Sequence, residues 1–408
     1  MTEQAFVEHL RAHGARVFLV GGCVRDALRG VPASDKDYVV SGITEAAFQA
    51  LFPDAPRVGK SFPVFLVEID GASCEVAFAR KERKQGTGYR GFAVSFSPDV
   101  TIEEDLCRRD TTMNAMAREL PDGTLYDPYG GREDVAQQRV RAVSEHFLED
   151  PVRALRAARQ AALFDYTITD ETIAYMRACR DELAHEPTER LFGELSRALT
   201  AARPSAFFRW LHAADLLDVT FPEIAALIGK TQPVAFHPEG DAFEHTMLVI
   251  DRVAAETDDV LARFCGLAHD IGKGVTPVEM MPHHYGHEVQ GLDVLAAWDA
   301  RMRLPKAWRQ AAAFVIRQHM RAVRLTKCGK IATLLLAIRK SPLSFAAFNA
   351  VTRADHGALP PYLVHGEAWA EDLAKISGRD APEGVKGKEI AAWIHTQQAA
   401  RVRELMKQ

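Results

Sequence analysis

Apolar residues change their spacing once along this chain, and that change limits its fold more than any other feature. Up to about Asp134, apolar runs of strand length recur at Val17–Val20, Tyr38–Val40, Val64–Ile69 and Cys74–Ala79, rich in β-branched and aromatic side chains. Helical patterns lie between them, at Arg25–Arg29 and Thr44–Leu51, and the first fourteen residues read as a short amphipathic helix rather than a signal peptide. Beyond Asp134 the pattern is helix after helix, rich in Ala, Leu and Arg and broken by Pro187, Pro204, Pro222, Pro238, Pro282 and Pro305. The expected architecture is an α/β head followed by an all-α body. A chain of 408 residues is too long for one ordinary core. Gly229, Pro233 and Pro238 interrupt the helices where a boundary is expected, at residues 228 to 237.

Bulk composition narrows the class. The formal net charge is −5, so a nucleic-acid site must be a local basic surface rather than a whole-molecule field. The six cysteines, at 23, 74, 107, 179, 265 and 328, form no C-x-x-C pair. They predict neither a zinc knuckle nor a disulfide framework, and a cytoplasmic protein is expected. No run approaches eighteen apolar residues, so no membrane span is expected.

The head carries the densest chemistry. A strand runs into Gly21-Gly22 and then a helix, which lets backbone approach a ligand, offers free N–H groups to phosphate, and sets Arg25 one turn in. Asp35 and Asp37 follow, two apart, a spacing that puts both on one face if they share a strand. Like charges that close are costly without a cation between them, and hard oxygen ligands suit Mg²⁺. Glu75, in an alternating strand, is the candidate third carboxylate of a two-metal site that activates a sugar hydroxyl and holds the triphosphate. A solvated acidic turn and an ordinary solvent-facing glutamate are the bland alternatives.

With these elements, four further motifs occur in order. They are Arg108-Arg109-Asp110-Thr111-Thr112-Met113-Asn114-Ala115, Asp127-Pro128-Tyr129-Gly130-Gly131, the segment from Glu149-Asp150 through Arg153 and Arg156 to Arg159, and the segment from His185 to Glu194. The series resembles the class II tRNA nucleotidyltransferase and poly(A) polymerase family. The resemblance implies a mixed-sheet head with a polymerase-β-like palm, in which Asp35, Asp37 and Glu75 are catalytic and the two aspartates hold Mg²⁺. It also implies that Gly22, Arg25, Arg109, Asp150, Arg153, Arg156 and Arg159 bind ATP and CTP.

Base choice without a template has its own logic. Asp150 and Arg153 are three apart, hence expected as neighbours on one helical face. Aspartate accepts and arginine donates. Cytosine and adenine present an amino donor beside an unprotonated ring nitrogen, whereas guanine and uracil present the reverse. Rejection built on unmet hydrogen bonds reaches on the order of 10⁴. Arg156 and Arg159 then clamp the triphosphate, against the alternative of solvated arginines on a polar face. The basic, Gly-rich stretch from Arg80 to Phe92 is expected to be a loop near the active site.

The second half carries Ala268-His269-Asp270-Ile271-Gly272-Lys273-Gly274, preceded by His245 and followed by Asp355-His356. This order resembles the HD superfamily of metal-dependent phosphohydrolases. The resemblance implies His245, His269, Asp270 and Asp355 as ligands of a divalent transition metal, nickel being one candidate, that activates water against a phosphoester. His283 and His319 read as helix-face or core residues. Together the two halves resemble bacterial CCA-adding nucleotidyltransferases carrying a C-terminal HD domain with 2′,3′-cyclic phosphodiesterase, 2′-nucleotidase and phosphatase activities.

The expected division is 1–138 head, 139–236 helical neck and body, 237–358 HD domain and 359–408 helical tail able to contact tRNA. The expected partners are tRNA, ATP and CTP, with no obligate protein partner. A poly(A) polymerase or an enzyme adding only A or only C shares the head motifs. A rival of another class is an HD hydrolase or tRNA-binding protein with an inactive head.

Overall fold

The computed structural model describes residues 1–32, 35–58, 63–84 and 92–407, with side chains left aside at 82–84 and 92–96. Two compact units emerge, one comprising residues 1–186 with 209–216, the other 187–208 with 217–408.

The first unit is built on a seven-stranded mixed sheet. Its strands are β1 (Arg16–Val20), β2 (Asp37–Ser41), β3 (Arg57–Val58), β4 (Val64–Ile69), β5 (Ala72–Phe78), β8 (Ala117–Leu120) and β9 (Leu125–Tyr126), in the spatial order β3-β4-β5-β2-β1-β8-β9. β6 (Arg80–Lys84) and β7 (Phe92–Phe96) pair separately as an antiparallel ribbon. The stretch expected as a loop therefore begins and ends in paired strands, and its central residues, 85 to 91, lie outside the described ones. The four strands expected in the head are all present, with bounds within two residues of the expected ones.

Alternation along the strands separates two apolar faces. Tyr38 and Val40 of β2 join Phe6, Phe48, Phe65 and Phe78 on one side, where Phe6 and Phe48 belong to helices α1 (Glu3–Arg11) and α3 (Glu45–Leu51). Val39 faces the other way, into a cluster with Phe18, Val20, Ile102 and Leu106, the last two from α4 (Ile102–Cys107). Because the side-chain period is two, Asp37 stands on the Val39 side of β2, and Glu75 on the Ala77 side of β5. Ala77 packs against that same cluster.

The second unit is helical. Helices Ala242–Glu256, Val260–Ala268, His287–Met302, Lys306–Ala322 and Phe345–His356 bury Phe264, Trp298, Ile316 and Phe348 completely. Helices Gly366–Lys375 and Lys388–Leu405 complete the chain. No single described helix is long and apolar enough to cross a membrane.

Two candidate metal centres

In the head, β2 and β5 form the one parallel junction among the described pairs of the large sheet, and its register sets Asp37 directly opposite Glu75. Strand pairing thus brings together two carboxylates that are 38 positions apart in sequence. Asp35 does not share the strand. It lies in a bend just before β2 begins, so its approach to Asp37 comes from the turn rather than from strand alternation. All three carboxylate residues are exposed. The protein around Asp37 is nevertheless dense: desolvation raises its carboxyl above the ordinary value, Arg109 opposes the rise and Asp35 adds to it. A carboxylate already resisting ionisation beside another carboxylate is a fit for a divalent cation.

Gly21 lies against the Arg109 guanidinium. It caps helix α2 (Gly22–Leu28) at φ +69°, and a Cβ there would lie 3.1 Å from Arg109 Nη1. Arg109 donates to buried Asp105 Oδ2 at 3.1 Å, and Arg108 donates to the other oxygen at 2.6 Å. Burial pushes Asp105 up, but the two guanidiniums more than offset it and hold the carboxyl below its usual range. Arg25 is engaged within the protein: it donates twice to Asp26, at 3.0 and 2.9 Å, and to Asn114 Oδ1 at 2.6 Å, and its guanidinium lies 4.3 Å from the centre of the Phe164 ring.

Helix α6 (Val152–Phe164) begins one residue after Pro151. A residue preceding proline is driven out of the helical region, and Asp150 is accordingly extended, at φ −126° and ψ 105°. The expectation that Asp150 and Arg153 are neighbours on one helical face is corrected here. Asp150 sits at the mouth of the helix and accepts from the Val152 N–H at 3.2 Å, while Arg153, buried in the first turn, donates to the His146 carbonyl at 2.5 Å. Arg156 donates to Asp110 at 2.8 Å, and Gln160 donates to the same oxygen at 3.0 Å. Arg159 is half-buried one turn beyond Arg156. Asp110 therefore ties the Arg108-Arg109-Asp110 segment to α6.

In the helical unit, Asp241 caps helix Ala242–Glu256 and sets His245 in its first turn, while His269 and Asp270 follow the end of helix Val260–Ala268. His245 Nε2 lies 3.1 Å from Asp355 Oδ1 and 3.8 Å from Asp270 Oδ2. His269 Nε2 lies 3.2 Å from Asp270 Oδ2 and 3.9 Å from Asp355 Oδ1. The other ring nitrogens are committed. His245 Nδ1 donates to Glu239 Oε1 at 2.5 Å, and His269 Nδ1 to the Gly266 carbonyl at 2.7 Å. A carbonyl only accepts, so in neutral His269 the lone pair is on Nε2, aimed at the carboxylates. His269 Nε2 and Asp355 Oδ2 are buried without a hydrogen-bond partner. Buried orphan atoms of this kind, with outer partners fixing the rings, fit a metal ion. Lys273 adds an ammonium 2.5 Å from Asp270 Oδ2 and also donates to Gln232. All four expected ligands converge.

A poly A polymerase head domain model matches residues 17–141, a model described as a probable RNA and SrmB-binding site of polymerase A matches 150–228, and an HD domain model matches 242–343. The chain is 43% identical over 379 residues to the multifunctional CCA protein of Aromatoleum aromaticum, covering 90% of this chain and 91% of that one. It is 42% identical to that of Xanthomonas campestris pv. campestris over 410 residues, covering 95% and 98%. The chain belongs to the multifunctional CCA protein family. Its fold is shared with the Bacillus stearothermophilus CCA-adding enzyme in complex with CTP, at a TM-score of 0.67 and 23% identity over 98% of this chain and 92% of that one. A structure described as a tRNA-processing enzyme in apo form gives 0.61 and 21% over 99% and 96%.

Within this member of the multifunctional CCA family, several residues take roles at the two sites that the sequence alone does not assign. Asp105 and Asp110 hold the arginines, Gln160 donates to Asp110, and Glu239 and Lys273 surround the HD ligands. His319, expected as an ordinary core residue, stands 3.4 Å from Asp270 Oδ1, and His287, distinctive in sequence only as part of the run His283-His284-Tyr285-Gly286-His287 and given no role there, stands 3.2 Å from it. His283 is exposed and stacks on Tyr285. The run His283-His284-Tyr285-Gly286-His287 was visible in sequence, but which of its imidazoles turns inward depends on where a helix starts.

Proposed function

We propose that the chain transfers CMP, CMP and AMP in turn from CTP and ATP onto the 3′ hydroxyl of tRNA, and that its HD domain hydrolyses phosphoesters at RNA ends. The reading is carried by the Asp37–Glu75 register pair, in which strand pairing faces two carboxylates beside Asp35 and the Arg109 guanidinium. Mg²⁺ ions held by Asp35 and Asp37, with Glu75 assisting, supply Lewis acidity to the sugar oxygen and the phosphates. Arg109, Arg156 and Arg159 bind the triphosphate, next to the open helix start at Gly22. Arg25, neutralised by Asp26, orients the nucleotide through Asn114 rather than acting as a free charge.

Asp150 accepts from the base amino group and Arg153 donates to the ring nitrogen, a pattern that cytosine and adenine meet and guanine and uracil do not. In the HD domain, a divalent transition metal on His245, His269, Asp270 and Asp355 supplies an activated water. Lys273 holds positive charge where a phosphate would arrive. The six cysteines are all free, four of them buried, which supports a reducing, cytoplasmic setting. The head is taken as residues 1–138, the base-reading neck and body as 139–236, the HD domain as 237–358 and the tail, a tRNA-contacting element, as 359–408.

The deciding experiment supplies tRNA truncated at each of its three terminal positions with each nucleoside triphosphate singly. Incorporation of C, C and then A is expected. Tailing of unrelated RNA with ATP alone would overturn the assignment in favour of a poly(A) polymerase.

A further inference from the structure

The HD centre is buried, yet the chain leaves aromatic rings in water beside it. Among the described side chains, Phe236 and Tyr285 are the only Phe, Tyr or Trp residues left exposed, at 81% and 71%. They do not stand alone. Seven of the fourteen exposed large apolar side chains fall in two short segments, 234–236 and 275–289, with Val234, Val278 and Val289 among them. Single apolar residues on a surface need no explanation, but a concentration of them marks a place where something binds.

The two segments form one rim of the centre. Lys230 donates to the Thr276 carbonyl at 2.8 Å, and buried His284 bridges the Thr276 hydroxyl at 2.8 Å and the Thr231 carbonyl at 3.0 Å. Lys273 joins Gln232 to Asp270. Phe236 directly precedes His237, whose ring centroid lies 4.6 Å from that of His245 and whose Nδ1 shares Glu239 with it. Tyr285 stands two residues before His287, whose Nε2 is 3.2 Å from Asp270 Oδ1. A Cβ on Gly272 would strike the His287 carbonyl, so only glycine lets the turn after Asp270 lie flush on the segment that carries Tyr285. The Tyr285 ring is already ordered: it stacks on His283 with centroids 5.4 Å apart and planes 19° from parallel.

Charge decides what this rim can hold. Residues 231–239 and 274–289 contain no lysine or arginine. A run of RNA phosphates calls for such cations, whereas a nucleobase offers a flat, uncharged face that stacks on aromatic rings. The chemistry of the ester points the same way. A phosphate on the ribose 2′ oxygen sits on the carbon next to the one bearing the base, so a 2′ or 2′,3′-cyclic phosphoester drawn into the buried centre keeps its base close by.

We propose that Phe236 and Tyr285 form a stacking platform for the nucleobase of the ribonucleotide whose 2′ or 2′,3′-cyclic phosphoester enters the HD centre. Stacking uses the π-face that every base has. The platform therefore senses that a base is present and not which base it is, the reverse of the hydrogen-bond choice assigned to Asp150 and Arg153. The proposal rests on the reading of the HD domain as a phosphohydrolase.

The test uses the full-length chain supplied with Mn²⁺ and three probes: adenosine 2′,3′-cyclic phosphate, cytidine 2′,3′-cyclic phosphate and methyl riboside 2,3-cyclic phosphate, which keeps the sugar and ester but has no base. Both nucleotides should be hydrolysed, and the base-free probe should show a KM roughly 10- to 100-fold higher. Phe236→Ala and Tyr285→Ala should each raise KM for the nucleotides about 10-fold, with kcat and the base-free reaction unchanged, and Phe236→Trp should restore the lower KM. Position is read apart from turnover by irradiating the chain with 5-iodouridine 2′-phosphate and mapping the adduct by mass spectrometry; attachment at Phe236 or Tyr285 is expected. A base-free probe handled as well as the nucleotides, or an adduct in the helical unit away from both rings, overturns the platform. So do alanine variants that lower kcat on all three probes alike, which marks a structural role. If none of the three probes is hydrolysed, the phosphohydrolase reading falls, and the platform with it. CMP incorporation by each variant checks its fold, and the comparison of probes on the unaltered chain decides even if a variant fails to fold.

Discussion

The head sets Asp37 and Glu75 by strand register and leaves its acids open to water, whereas the HD centre buries its acids and fixes the rings of His245, His269, His287 and His319 through a second contact. Asp37 and Glu75 are exposed, and the positive charge acting on Asp37 comes from Arg109. Asp270 and Asp355 are almost sealed, and four imidazoles, those of His245, His269, His319 and His287, succeed one another at centroid distances of 5.3 to 5.5 Å. An open all-oxygen site suits ions that arrive with a triphosphate and leave with pyrophosphate. An enclosed, nitrogen-rich site with its rings already oriented suits ions that stay. On the proposed reading, one chain contains a site that depends on its substrate for completion and a site that is complete before substrate arrives.

The contrast is broken most directly by exchanging the losses. Asp37→Ala should lower CMP incorporation into truncated tRNA by on the order of 10³, with cyclic-phosphate hydrolysis unchanged; parallel steady-state assays on one preparation measure both. Asp270→Asn should do the reverse, lowering hydrolysis by about 10²-fold or more while leaving incorporation intact. If either substitution silences both reactions equally, the two centres are not independent.

Smaller changes sharpen the comparison. Glu239→Gln weakens the acceptor behind His245, and metal affinity of the HD site should fall by about 10-fold, read by competition with a chelating dye. Asp110→Asn should cost about 1–3 kcal/mol, measured by denaturant unfolding of the first unit's signal. Arg156 is partly exposed, so the loss comes chiefly from the buried bonds to Gln160 and the Thr111 N–H.

Asp110 also has a pH signature. Burial raises its carboxyl, but Arg156 and its hydrogen bonds outweigh that and hold it well below the usual aspartate range. Its contribution is therefore complete above the unfolded-state value and is lost as pH falls through the lowered folded value, so the variant's stability should depend less steeply on pH in acid. Asp37 is opposite in sign. Its folded carboxyl is raised, so folding loses stability as pH climbs through that value. Asp37→Asn should therefore give a small rise in melting temperature at neutral pH in the absence of divalent ions, checked by scanning calorimetry with and without Mg²⁺.

The sequence by itself determined the change from strands to helices, the helix-starting Gly21-Gly22 turn, and the residue types that converge at each centre. Those follow from local spacing: period two, period three to four, and glycine where a side chain cannot fit. It did not determine which groups meet across long separations. Asp37 opposite Glu75 depends on parallel register between strands that are not consecutive, and Arg156 on Asp110 depends on how α6 packs. Asp150 shows the boundary between the two kinds of knowledge. Its spacing from Arg153 suggested one helical face, while Pro151 between them ended that geometry, a local rule that outweighs periodicity. His287 and His319 are undecidable in sequence because a histidine facing water and one facing a carboxylate look alike until helix packing, for His287 the backbone contact at Gly272, turns the ring inward.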